Sequence, residues 1–300
     1  MYKHLLFALA VIALTSMARG QSNRYPIEEN GKYGYIDSSG KVVVPLSETQ
    51  APNFSEGLAR RGHWQIFLGT RWGYVDTLGR EVIPDQYSEE GNFHGGRAWV
   101  LDRPVLFPFL SKDKYGYIDR TGKLVIPDQY EIAGDFSDGL AEVSSNGKIG
   151  YIDTLGNVAI PFKYERGGMF SCGLAPVCVG GKWGYVNRSG ETEIQPGFDD
   201  ARSFFDGFAL VREGAAWKFI NRTGATAFTL KFSDARRFSE GVAPVEVDGL
   251  WGYVDTLGTF SIKPRFTDAS PFLDGLAHVR TQSGSAYIDH TGRVVWSSGN

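Results

Sequence analysis

A short aromatic-Gly-Tyr motif returns along this chain at an almost fixed interval, and that period constrains the fold more than any other feature. The residue opening the motif, or its equivalent, stands at Tyr33, Trp72, Tyr115, Ile149, Trp183, Trp217, Trp251 and Ser285. The spacings are 39 and 43 residues and then 34 five times over, so eight copies of one unit follow each other with two early insertions. A second mark, Phe-x-x-Gly-apolar-Ala, keeps step with the first at Phe54 to Ala59, Phe136 to Ala141, Phe238 to Ala243 and Phe272 to Ala277. Trp72, Trp183, Trp217 and Trp251 of the first mark, and Phe136, Phe170, Phe238 and Phe272 of the second, therefore read as structural positions of the repeat.

Within a unit the residue pattern resolves into three antiparallel strands. Leu140-Ala141-Glu142-Val143 alternates with the strand period of two, and the constant Ala implies a bulky group packed across it. Asn146-Gly147 then supplies a tight hairpin turn, because both residues accept positive φ. In the second strand Trp183, Tyr185 and Asn187 share one face, and Gly184 beside the rings allows close backbone approach. Asp153-Thr154-Leu155-Gly156 makes the next turn, its carboxylate bonding local N–H groups. The third strand carries Val158 and Ile160 and stops or edges at Pro161.

A 34-residue unit buries too little surface to stand alone, so the copies must stack. The first unit finds its first strand in Tyr25 to Glu28 and the eighth its last in Val294 to Trp296, leaving no strand over to latch a ring. The expected fold is therefore all-β: eight tandem three-stranded antiparallel units in an open, twisted, solenoid-like array. A closed β-propeller is the alternative.

The motif Gly181-Lys182-Trp183-Gly184-Tyr185-Val186-Asn187, preceded by Phe170-Ser171-Cys172-Gly173-Leu174-Ala175, resembles the WG-repeat family, also called KWG repeats. The resemblance runs from about Ile27 to Trp296. It departs from the pattern at Tyr33, Tyr115 and Ile149, at Lys218 in place of Gly, and at Ser285 where the ring is lost. What it implies is a repeat module with a binding or scaffolding role, with no shared activity or cofactor.

The first twenty residues stand apart from the repeats. A basic head ending at His4, an apolar run from Leu5 to Leu14 and the small residues Ala18 and Gly20 read as a secretory signal over 1–20. The run falls short of the about 20 residues that a membrane-spanning helix needs. The array over 21–300 is therefore expected to be secreted or periplasmic, at the cell envelope, with no transmembrane segment after cleavage.

Charge and residue usage narrow the chemistry. The net charge of −3 is evenly mixed in sign and forms no basic face, which argues against nucleic acid as a partner. Two cysteines and five histidines leave little for a protein-built zinc site, so neither metal nor cofactor is expected. The Asp series at the turns (Asp37, Asp76, Asp119, Asp153, Asp255, Asp289) gives one carboxylate each, where calcium wants six or more oxygens; turn capping is the preferred reading. The periodic rings could form a sugar-stacking ladder, but core packing is the usual fate of regularly spaced rings. Cys172 and Cys178 could form a disulfide, although six residues of extended chain span about 20 Å, beyond the reach of a bridge.

The insertions near 61–67 and 102–110 break the regularity, and function tends to sit where a scaffold is broken. His63, Trp64, Arg103, Phe107 and Phe109 are the candidate contact residues there. No nucleophile elbow, zinc-protease helix or phosphate loop is present. The expectation is an exported, non-enzymatic repeat protein offering a binding or scaffolding surface to a protein or glycan partner. A carbohydrate hydrolase with acids from adjacent repeats is the rival, and a purely structural spacer the third possibility.

Overall fold

The computed structural model describes residues 24–47, 54–65, 69–76, 79–102 and 113–298. The N-terminal segment expected to be a signal and the candidate contacts Arg103, Phe107 and Phe109 lie outside them. The described residues form strands and turns with no helix, arranged as eight antiparallel sheets in chain order.

The fourth repeat shows how one sheet is built. Its order is Ile132–Ala133, Leu140–Ser145, Lys148–Asp153 and Val158–Tyr164, each strand hydrogen-bonded to the next. The expected three strands are therefore joined by a fourth, only two residues long, ahead of the Phe mark; two residues are too few to leave an alternating pattern in the sequence. The Phe-x-x-Gly mark is itself a hairpin turn. Asp138 and Gly139 take φ of 51° and 79°, and Ser137 and Leu140 exchange both backbone hydrogen bonds at 2.9 and 3.0 Å. Two successive left-handed residues match the right-handed twist of the flanking strands. Asn146 and Gly147 repeat that geometry at φ of 52° and 70°. At the third turn Asp153 Oδ1 accepts from the N–H groups of Leu155 and Asn157, both at 2.9 Å.

The glycine of the aromatic-Gly-Tyr motif answers to a bulge in the outer strand. Trp183 pairs with Phe198 and Tyr185 with Ile194, so the partner strand carries extra residues between those rungs. A Cβ added at Gly184 would lie 2.4 Å from the Ile194 carbonyl oxygen and 2.6 Å from Pro196 N. Pro161 and Pro264 sit within outer strands, where a missing N–H is tolerated.

In the middle of the chain both faces of a sheet are buried because the repeat is packed between two others. Tyr151 and Ile160 of the fourth repeat share a core with Phe170, Ala175, Val177 and Val186 of the fifth. Trp183, Tyr185 and Ile194 of the fifth do the same with Phe204, Ala209 and Ile220 of the sixth. The constant Ala thus leaves room for the neighbour's ring, as its size implied. Tyr151 and Phe170 meet edge to face at 4.9 Å, and the Tyr151 hydroxyl donates to the Gly168 carbonyl at 2.9 Å. Tyr74, Tyr117 and Tyr185 repeat the contact with Phe93, Phe136 and Phe204 at 4.8–5.0 Å between ring centroids. Phe219 takes the tyrosine's place in the sixth repeat and still meets Phe238 at 4.9 Å, so the ring is constant where the hydroxyl is not.

A further stitch joins successive turns. Asp138 Oδ2 accepts from Gly173 N at 2.7 Å, Asp206 Oδ2 from Gly241 N at 2.9 Å, and Glu56 from Gly95 N and Gly96 N at 2.7 and 3.0 Å. Cys172 occupies the same left-handed position at φ 54° but carries no carboxylate.

The open array is overturned at the chain's ends. Among the described residues, 24–47 and 265–298 form one compact unit, and those from 54 to 264 a second. In the first unit Tyr25, Ile27 and Ile36 share an apolar cluster with Leu276 and Tyr287 of the last repeat. The Tyr287 hydroxyl donates to the Pro26 carbonyl at 2.7 Å, and the Tyr25 hydroxyl donates to the Asp274 carbonyl. First and last repeats are neighbours, so the fold is the alternative, a β-propeller whose blades are the eight sheets. A shared strand is not needed: the terminal sheets meet face to face through the same kind of tyrosine contact that joins internal ones.

Two substitutions test these contacts. Gly184→Ala is expected to lower stability by about 2 kcal/mol or more, because the obstructing atoms are backbone; a chemical denaturation series measures it. Cys172→Asp is expected to raise stability by about 0.5–1 kcal/mol by restoring the acceptor for Gly207 N–H, read in the same assay.

Candidate functional site

Most polar groups that recur in every repeat are already used by the backbone. Hydrogen bonds from the Asn157 side chain and from its own turn hold the Asp153 carboxyl below the usual carboxylate range. Glu165 accepts from Gly180 N and Gly181 N at 3.0 Å, and these bonds lower its pKa. The repeated tyrosine hydroxyls are pushed upward by burial and stay protonated donors. Individuality must therefore lie where a repeat departs from its neighbours.

One departure stands out at the inner, short-strand side of the second to fourth repeats. The second residue of the short strand is Ala133, Gly167, Ala201 and Ala235 in the fourth to seventh repeats, and Glu90 in the third. The third residue of the following long strand, counted from the apolar position, is Arg60, Trp99, Glu142, Pro176, Leu210 and Pro244 in the second to seventh. This residue packs against the next repeat's short strand. Leu210 and Ala235 share one core, and Glu142 Oε1 lies 3.4 Å from where a Gly167 Cβ would stand. Between the second and third repeats that large-on-small contact becomes Arg60 against Glu90.

The geometry leaves the pair incompletely satisfied. Arg60 Nε is 4.0 Å from Glu90 Oε1, and its Nη1 donates to the Glu90 carbonyl at 3.4 Å, both long. The Glu90 side chain is 1% exposed, yet Oε2 has no hydrogen-bond partner. Desolvation pushes its pKa up to about 8 against the pull of Arg60, with Glu89 and Asp85 adding to the rise. Asp135, just before Phe136, lies beside the same group of side chains. Its Oδ2 is 3.6 Å from His94 Nε2, while Oδ1 is buried without a partner. Burial raises this carboxyl too, against His94, the Trp99 indole and Arg60. The Trp99 ring lies over Gly91, where a Cβ would fall 2.2 Å from Nε1, so only glycine lets the indole lie there.

These side chains, Arg60, Glu90, His94, Trp99 and Asp135, come from three consecutive repeats of one compact unit. Arg60 and His94 are 47% and 43% exposed, so the cluster opens to solvent on one side and is buried on the other. It offers two acids whose pKa values burial raises, a cation and an indole. Among the described residues no three His, Cys, Asp or Glu side chains are placed to hold a metal ion.

The residues expected from sequence sit elsewhere. The first insertion lengthens a hairpin: Leu58–Gln65 pairs with Gly69–Asp76, with His63 opposite Arg71 and Trp64 opposite Thr70 near its tip. Trp183 and Trp251 are buried, with the guanidinium groups of Arg166 and Arg236 over their rings at 5.0 and 4.8 Å. Trp72 and Trp217 are half-buried, and Phe136, Phe170, Phe238 and Phe272 are core residues. Cys172 and Cys178 are both free. The cluster went unseen in the sequence, although aligning the repeats with one another would have exposed Glu90 in a column of Ala and Gly.

Glu90 has a pH signature. Its folded pKa of about 8 lies above the ordinary carboxylate value, so between those values the folded chain holds a proton that the unfolded chain has lost. Stability must fall as pH rises through this window, in the presence of Arg60, Tyr74, Asp85 and Glu89 around the carboxyl. Glu90→Ala, which copies Ala133 and Ala201, is expected to remove on the order of 2–4 kcal/mol of that pH dependence. Urea unfolding of both proteins from about pH 5 to about pH 9 measures it.

Comparison with known proteins agrees with the repeat architecture. A family model described as WG containing repeat matches seven times, at residues 33–60, 72–102, 115–148, 149–183, 183–217, 219–251 and 251–282. No curated protein matches the sequence. A crystal structure of a eukaryotic initiation factor is similar over 91% of this chain and 95% of that one, with TM-score 0.53 and 10% identity. Apo AztD from Citrobacter koseri is similar over 92% of this chain and 94% of that one, with TM-score 0.51 and 11% identity. At such identities the likeness is one of fold alone. The family model, in contrast, matches copy after copy over most of the sequence, and the chain belongs to the WG containing repeat family.

Proposed function

We propose that this protein is a non-enzymatic binding or scaffolding module, exported to the cell envelope, that holds a protein or glycan partner. The repeat β-propeller fold suits a binding or scaffold role. The finer reading is carried by one observation: the polar side chains left over from the repeat pattern gather at Arg60, Glu90, His94, Trp99 and Asp135, while recurring carboxylates close turns and recurring rings fill the core. A scaffold that has used its periodic groups internally recognises partners through its aperiodic ones. Export rests on the apolar segment from Leu5 to Leu14 with its small residues at Ala18 and Gly20.

The hydrolase reading has Glu90 and Asp135 in its favour, two acids from adjacent repeats with raised pKa values. Capture from envelope fractions by the chain beginning at Gln21, compared with its Arg60→Ala/Asp135→Asn form, separates the two readings. Loss of a retained protein or glycan in the double variant, with an unchanged melting temperature, is the expected result. Equal capture would remove the cluster from the binding surface. Glycan cleavage abolished by Glu90→Gln would replace the module with an enzyme.

A further inference from the structure

The two orphaned atoms of the cluster have the same chemical need. Glu90 Oε2 and Asp135 Oδ1 are both buried without a hydrogen-bond partner. An unsatisfied buried polar atom costs about 1–3 kcal/mol, and more when charged, so a pair of them in one cluster calls for a donor from outside. Arg60 is the cation at hand, and it does not meet the need. It stays 4.0 Å from Glu90 Oε1, with a side chain 47% exposed.

Acids also outnumber bases here. Glu90, Asp135, Glu89 and Asp85 stand against Arg60 and His94, and Arg61 is already engaged by Asp85 and Glu81 at 2.9 and 2.5 Å. Acceptors in excess define cation recognition, since an ammonium supplies the donors they lack. A metal ion is a poor match, because the ligating side chains do not come in threes among the described residues. An organic ammonium has three donors, a compact charge and no demand for a fixed coordination number.

Resting on the binding reading above, we infer that the Glu90–Asp135–Trp99 cluster is a recognition site for a primary ammonium group, carried by a free amine or by a lysine side chain. The ammonium donates to Asp135 and, as Glu90 releases its proton to solvent, to the Glu90 carboxylate, while the Trp99 indole borders the site.

Calorimetric titration of the chain from Gln21 with butane-1,4-diamine, and with butane-1,4-diol as its uncharged counterpart, tests this. The expected result is saturable binding of the diamine alone, weakened about tenfold or more by Glu90→Gln and by Asp135→Asn, the loss of one charge-assisted hydrogen bond. Asp135 is partly exposed, so its variant carries the test if Glu90→Gln does not fold. A lysine tripeptide and its Nζ-acetylated form make the second arm. Tighter diamine binding assigns a free amine, and tighter binding of the unacetylated peptide assigns a lysine side chain. Equal heats from diamine and diol, undiminished binding in both variants, or no binding of diamine or peptide would overturn the ammonium assignment. If capture of a partner still depends on Arg60 and Asp135 while no amine binds, the ligand class falls and the binding surface stands.

Discussion

The contact on which this molecule depends is the reach of one ring into the next repeat. Tyr151 passes its hydroxyl to a carbonyl seventeen residues further on and sets its edge against Phe170. Aromatic pairs of this kind contribute about 0.5–1.5 kcal/mol beyond the area they bury, and the hydroxyl satisfies a carbonyl that has left water. Neither partner lies in the same sheet as the tyrosine. A single repeat therefore has no core of its own, and its inner faces become interior only when neighbours cover both sides.

That dependence dictates which residues are free to vary. The Ala of the first long strand must stay small because the previous repeat's ring lies over it, and the Gly after Trp must stay small because a bulged outer strand comes within van der Waals distance. Carboxylates that recur do so because turns need acceptors for N–H groups that no strand supplies. Positions along the short inner strand and the third residue of the strand beside it face a looser requirement of large against small. Arg60 and Glu90 exploit it, placing two ionisable side chains where Leu210 and Ala235 make an apolar contact. Burial of such a pair adds little to stability, which directs attention to recognition.

Sequence and structure agree closely on the unit. The hairpin at Asn146 and Gly147, the Asp-capped turn at Asp153 and the proline-bearing outer strand all follow from local residue chemistry. The two-residue strand Ile132–Ala133 left no trace, because alternation cannot be seen in so short a segment. For the site, attention fell on insertion residues such as His63 and Trp64, since a break in period is visible in a single chain. Glu90 lies inside a regular repeat and differs from its counterparts by one side chain, a signal that appears only when the column of equivalent residues is compared.

The sequence by itself determined the repeat: its length, its turns, its paired strands and the positions that must be ring, Ala or Gly, because each is set by neighbours close along the chain. Only the tertiary structure decided that the first repeat lies against the eighth, with Tyr287 bonded to Pro26, and that three repeats bring Arg60, Glu90 and Asp135 into one cluster. The physical reason is the same in both cases. How far one sheet turns against the next depends on side-chain volumes summed over a whole interface, and no local pattern of residues records that sum.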